Sequence, residues 1–279
     1  MAETLIVPLA RPEVAPSSSS PSLRAVALPT EHGGWGLLLE PLLLGLLVAP
    51  SGPGAAVAVA ALGAFLWRHP ARLVASDWSR AASYPRTRVA LAVAAGYAAV
   101  ALAAGLVALG TARGALVALI AAAAPFAVVY LAHDLRLRSR SVVAELSGAV
   151  ALSAGAAAVA LAAGWPVSRA FGLWLLVAGR AVGSVVDVRC RLRRQRGMPS
   201  PVWPVWLAEA AFVVAAGAAS YAGAVPMWAT PVLVALLVRS AWNLRPGAPP
   251  RRPQDVGWSE LRAGLLSTLA WVLAYGSAA

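Results

Sequence analysis

Five ionisable side chains sit where water is scarce. The chain has 279 residues, 60% hydrophobic and only 12% charged. Glu40, Glu145, Arg180, Asp187 and Glu209 fall inside or beside apolar runs of roughly 16–24 residues, long enough to cross ~30 Å of hydrocarbon. An ionisable group placed there costs roughly 2.5–3.5 kcal/mol on insertion scales, so each needs a partner, water or a task. Glu40 lies about six residues into its run, hence ~9 Å deep at 1.5 Å per residue. Arg180, Gly183, Ser184 and Asp187 recur at spacings of three and four, one polar stripe on an apolar helix. The pattern suits two kinds of chemistry. Buried Arg–carboxylate pairs would tie helices together, or a carboxylate would act as a base, with Glu40 and Asp187 the candidate catalytic residues.

A second set of residues suits an anion. Glu31-His32-Gly33-Gly34-Trp35-Gly36 puts three glycines, a histidine and a tryptophan at a helix start, where bare N–H groups can approach negative charge. The alternative for that stretch is a flexible entrance with Trp35 anchored at the membrane interface. Arg138-Ser139-Arg140-Ser141 opens another helix, with Ser141 in capping position and Glu145 four residues on along the same face; the alternative there is positive-inside arginines ahead of an ordinary cap. The candidate ligand-binding residues are therefore His32, Gly33, Trp35, Arg68, Arg138, Arg140, Glu145, Arg180 and Arg191. No metal ligands are assigned. The histidines His32, His69 and His133 lie on three different connections, without the spacing of a zinc or metalloprotease motif. Cys190, the one cysteine, can form no intramolecular disulfide. No Walker loop, dinucleotide fingerprint or nucleophile elbow occurs.

The elements that must position these residues are helices. Apolar runs at 34–48, 55–67, 89–109, 115–131, 142–163, 171–188, 205–222, 227–242 and 261–275 predict an all-α, polytopic transmembrane bundle of about nine helices, the second so short that it need not span fully. Residues 1–29, with the tract Pro16-Ser17-Ser18-Ser19-Ser20-Pro21, read as a disordered cytosolic tail, and 30–279 as the transmembrane domain. Every one of the 23 basic residues is arginine, and in an alanine-rich chain this points to a high-GC bacterial genome. Of them, only Arg113 and Arg169 fall on one face; the others fall on the opposite one. By the positive-inside rule the arginine-rich face and the N-terminus are cytosolic, in a bacterial cytoplasmic (inner) membrane. The formal charge of +12 then reflects orientation, and no nucleic-acid partner is expected. The acids other than the deeper Glu40 gather near the same face, so a polar cavity opening to the cytosol is expected, walled by the first, fifth, sixth and seventh helices.

The ordered motifs resemble the bacterial YwiC-like membrane proteins. They are Glu31-His32-Gly33-Gly34-Trp35 with Pro41, Arg68-His69-Pro70, and Asp134 through Arg138-Ser139-Arg140-Ser141 to Ala144-Glu145-Leu146 and Gly148. Arg180-Ala181-Val182, Val188-Arg189-Cys190-Arg191 and Gly257-Trp258-Ser259-Glu260 complete the set. Asp187 and Gly183 depart from that pattern, where Tyr and Pro are expected. A more distant resemblance is to UbiA-type intramembrane prenyltransferases, carried by the helix count and by Tyr130, the basic run from Arg136 and Gly148. That likeness implies Mg²⁺ held on a prenyl diphosphate by Asp-rich loops after the second and sixth helices. Here the first loop has Asp77 without further paired acids, and Asp187 is followed four residues on by Arg191. Without paired carboxylates a Mg²⁺–diphosphate clamp lacks ligands, and arginine would have to replace the metal's charge.

The leading expectation is a YwiC-like, UbiA-like multi-pass protein holding an anionic, lipid-tailed ligand such as an isoprenoid diphosphate in a cytosol-facing cavity. Beyond the lipid bilayer and that ligand, no partner is assigned. The rival readings are a transporter or permease, since intramembrane charges mark ion paths too, and a non-enzymatic membrane assembly factor.

Overall fold

The computed structural model describes residues 22–29, 32–80, 84–135 and 141–277. All regular structure among them is helical. The elements are α1 (Leu23–Ala27), α2 (His32–Val48), α3 (Gly52–Ser79), α4 (Pro85–Leu135), α5 (Val142–Ala162), α6 (Val167–Gln195), α7 (Trp203–Tyr221), a 3₁₀ turn (Met227–Ala229), α8 (Thr230–Asn243) and α9 (Pro253–Gly276).

Five segments are long and apolar enough to cross a membrane: Pro85–Ala112, Gly114–Asp134, Val142–Ala162, Val167–Gln195 and Trp203–Tyr221. Gly34–Val48 is apolar but shorter. The protein is a multi-pass, all-helical membrane protein. The two runs expected at 89–109 and 115–131 are the two legs of α4, joined at Ala112, the residue with non-helical backbone (φ −137°, ψ 40°). One expectation needs correction. The second helix does not stop at Trp67: α3 continues through Pro70 to Ser79. A proline usually ends a helix because it lacks an N–H and crowds the preceding turn. Here Pro70 is buried, and packing of α3 on α4 and α5 carries the helix past it. Arg68 and His69 therefore stand on a helix and not in a loop.

Alanine and glycine make the centre of the bundle. The helix α5 packs against α2, α3, α4 and α6, and its Ala149, Ala156, Ala157 and Ala160 are fully or almost fully buried. Lipid tails are as apolar as leucine, so helices in a membrane associate through close backbone approach, which small residues permit. Exposure then sorts the helices. In the two legs of α4 only 11% of each apolar stretch is buried, against 61% in α6. The legs of α4 form an outer wall, with Leu102, Leu106 and Val128 exposed, while α6 runs through the interior with the polar stripe. The other end of the chain is fixed by Trp271, fully buried, whose Nε1 donates to the Ala229 carbonyl at 3.0 Å. That bond seats α9 on the 3₁₀ turn.

Most of the segment expected to be a tail, residues 1–21, lies outside the described residues. Its last part contains α1, capped by Ser22 accepting from the Ala25 N–H. Val26 of α1 packs on Val74 and Ala90, and the His69 ring nitrogen Nε2 meets the Ala25 carbonyl at 3.1 Å. The connection at the end of α3 is closed by Asp77, fully buried. It accepts from Arg86 at 2.8 Å and from the Thr87 hydroxyl at 2.8 Å. The Arg86 hydrogen bond, reinforced by Thr87, holds the Asp77 carboxyl below the usual aspartate range despite its burial.

Candidate functional site

The polar stripe of α6 faces a small cleft between α6, α7, α8 and α9, with room for little more than a water-sized group. Arg180, Ser184 and Asp187 line it from α6, Glu209 and Phe212 from α7, Arg239 from α8, and Glu260 from α9. The first and fifth helices were expected as walls. Among the lining residues they contribute none, and α8 and α9 take their place.

Glu260 is the hub. About two turns into α9, it accepts hydrogen bonds from Ser184 Oγ at 2.7 Å, Arg191 Nη2 at 2.8 Å and Arg239 Nη2 at 2.5 Å. Arg191 also pairs with Asp187, its (i, i+4) neighbour on α6. Arg180 reaches in two directions. Its Nε lies 2.6 Å from Glu40 on α2, and its Nη2 donates to the Glu260 backbone carbonyl at 3.0 Å. Three helices are thereby tied at one guanidinium, and the tie depends on Gly264, where a Cβ would stand 2.6 Å from both Arg180 Nη2 and a Glu40 oxygen. Glu40 and Asp187, the two candidate bases, are thus each matched to an arginine. Of the residues in this cluster, Arg239 and Glu260 were not foreseen. Arg239 is one of the many arginines toward the arginine-rich face and Glu260 ends the Gly257-Trp258-Ser259-Glu260 motif, and no local spacing links either to α6.

The ligand-binding candidates divide. Arg180 and Arg191 belong to the cleft. Glu145 pairs with Arg189 at 2.6 Å, half-buried between α5 and α6. Trp35 and Arg68 belong to a separate assembly. The Trp35 and Phe65 rings meet edge to face at 5.2 Å, and the Arg68 guanidinium lies over Phe65 at 5.9 Å and over Tyr130 at 5.5 Å. Tyr130 in turn fills the space left by Gly148 on α5, where a Cβ would lie 2.9 Å from the ring. Four helices meet around one arginine. His32 and Gly33 begin α2, but their surroundings lie outside what is described, as do Arg138 and Arg140 altogether.

Neither place fits a Mg²⁺–diphosphate clamp. Asp77 and Asp187, the carboxylates at the positions where the prenyltransferase likeness would put metal ligands, are both answered by arginine. Among the described residues no group of three or more His, Cys, Asp or Glu side chains is arranged to hold a metal ion.

The class defined by this fold is a multi-pass membrane protein with an interior cluster of charge. Residues 28–160, from just before α2 almost to the end of α5, match the family model described as YwiC-like protein, so the chain carries a YwiC-like region. No curated protein matches the chain, and no solved structure does. The Arg68 assembly lies wholly within the YwiC-like region; all four cleft-lining helices lie beyond it.

Proposed function

We propose that this YwiC-like membrane protein binds an anionic, lipid-tailed ligand of the prenyl diphosphate type at the Arg68 end of the bundle, with UbiA-like geometry but with arginine in place of metal. The observation that carries the reading is the Arg68 guanidinium held at two aromatic faces where α2, α3, α4 and α5 meet. A guanidinium steadied by aromatic rings is pre-organised for the forked hydrogen bonds that phosphate oxygens accept. The sequence adds Arg138 and Arg140 just ahead of α5, whose Ser141 caps the first turn, and helix starts favour negative charge. The apolar legs of α4 beside it offer a surface for a hydrocarbon tail.

The test is a thermal-shift titration of the detergent-purified protein with prenyl diphosphates of several chain lengths, with inorganic pyrophosphate as the tail-free comparison. Each is run with and without Mg²⁺. A ligand at about a hundred times its Kd stabilises by ~2.7 kcal/mol. The expected result is stabilisation by the lipid-tailed compounds that does not need Mg²⁺ and is lost in Arg68→Gln. No stabilisation at any chain length, or an unchanged response in Arg68→Gln, refutes the reading.

A further inference from the structure

The cleft between α6, α7, α8 and α9 holds one more carboxylate than arginine. Asp187, Glu209 and Glu260 line it against Arg180 and Arg239; behind the lining, Glu40 pairs with Arg180, and Arg191 with Asp187 and Glu260. Three of the four acids are paired. Glu209 is the fourth. It is 8% exposed, lines the cleft, and has no ion pair to any arginine among the described residues. Its Oε2 has no hydrogen-bond partner, and neither has Asp187 Oδ1 on the neighbouring wall. Glu209 is pressed against α6 at Gly183, where a Cβ would lie 3.1 Å from its Oε1. It cannot swing far toward Arg180 without leaving that contact. The charged groups that line the cleft with it are Arg180 and Asp187 on α6, Arg239 on α8 and Glu260 on α9, with Glu40 and Arg191 behind them, paired with Arg180 and Asp187.

A buried acid without a counter-charge is costly, and the missing charge is a single positive one. The remainder of the cleft agrees with a small cation. Of the buried lining atoms without a hydrogen-bond partner, Glu209 Oε2 and Asp187 Oδ1 are carboxylate acceptors, while Arg180 Nε stands at Glu40; Phe212, Leu233, Leu236 and Ala263 close the cleft with one aromatic and several aliphatic surfaces. Divalent ions fit poorly, because they call for six or more oxygen ligands or several waters.

We propose that this cleft is a monovalent-cation site centred on Glu209 and Asp187, occupied by an alkali ion or a primary ammonium group in exchange with a proton. In the exchange the protonated Glu209 carboxyl releases its proton to solvent, and the carboxylate left behind takes the cation. Charge in the cleft is the same before and after. The inference is independent of the ligand proposed for the Arg68 end, and it supplies what a permease would need without requiring that the protein be one.

The experiment uses the full-length purified protein in weakly buffered detergent solution. NaCl, KCl and methylammonium chloride are titrated at constant ionic strength against choline chloride, too bulky for the cleft. Proton release and thermal stability are read together. The expected result is a saturable release approaching about one proton per chain with at least one of the three cations, accompanied by a rise in Tm. The three arms tell an alkali-ion site from an ammonium site. Glu209→Gln, nearly isosteric and neutral, should abolish both responses, while Asp255→Asn, on the exposed start of α9, should keep them. If none of the three cations exceeds choline, the proposal is overturned. It is equally overturned if monodisperse Glu209→Gln responds like the wild type. Should Glu209→Gln fail to fold, saturation of the wild-type response decides alone: release that grows without limit overturns the site.

Discussion

Replacing Glu260 by glutamine would test the charged cleft at its hub. The side chain keeps its size, and its carbonyl oxygen can still accept from Ser184, but the charge facing Arg191 and Arg239 disappears. Arg191, 5% exposed, retains Asp187; Arg239, 28% exposed, retains only the Ser259 hydroxyl at 3.3 Å among its described partners. Removing one member of a buried pair costs about 3–5 kcal/mol, and an exposed pair is worth about 0–1. With one arginine buried and the other partly wet, a loss on the order of 2–4 kcal/mol is expected. At roughly 2–4 °C per kcal/mol for a chain approaching this size, Tm should fall by about 4–16 °C. The assay is thermal unfolding in detergent followed by tryptophan fluorescence, with Arg239→Gln and the double variant completing a cycle. The two positions should couple by about 1–3 kcal/mol, the double variant being less damaged than the sum of the singles. A fall in Tm of under about 2 °C for Glu260→Gln, with additive behaviour in the cycle, would refute the claim that these side chains form one coupled network.

Three further outcomes follow from the packing. Gly148→Ala should destabilise by about 1–3 kcal/mol, because the added methyl meets the Tyr130 ring, and trimming Tyr130 to alanine in the same chain should recover part of that loss in the same thermal assay. Trp271→Phe leaves the Ala229 carbonyl without its donor and should cost about 1–3 kcal/mol, read as a lower Tm with helical content unchanged by circular dichroism. Asp77 provides the pH test. Its folded pKa lies below the unfolded value, so its contribution is complete above about pH 4 and fades as pH falls through the lowered folded value. The wild type should lose stability on acidification in that window, and Asp77→Asn should show less of this dependence.

Much of the architecture was legible because membrane helices announce themselves by length and apolarity. The start of α5 at Val142 and the end of α2 at Val48 coincide with the apolar runs, and the glycine-flanked link after residue 109 is the break in α4 at Ala112. What misled was proline. Arg68-His69-Pro70 has the look of a turn, and only burial of Pro70 against neighbouring helices keeps α3 intact. The site was legible as an inventory of groups but not as an arrangement. Glu40, Arg180, Asp187 and Glu209 stood out because each violates an apolar stretch. The partner of Arg191 is Asp187, four residues away and within one helical turn, but its other partner is Glu260, whose pairing depends on how α6 and α9 cross. No periodicity along the chain encodes that crossing, so α6 and α7 are the walls the sequence anticipates, while α8 and α9 stand where the first and fifth helices were expected. Tyr130 and Gly148 stand together in the sequence likeness, but their contact follows only from α4 and α5 being neighbours.

The connections also differ between the two ends of the bundle. At one end they are the short segments 49–51, 163–166 and 222–226, together with the bend at Ala112, which is no connection at all. At the other the described connections lengthen to 196–202 and 244–252, and these carry Arg196, Arg245, Arg251 and Arg252. A protease needs an extended stretch of accessible backbone to cut, and an antibody needs a surface to grip. To either of them the molecule has a single side: trypsin, which cuts after arginine, finds its sites almost entirely at the long-looped end, and sealed vesicles of opposite orientation would differ in whether the chain is cleaved to pieces or left nearly whole.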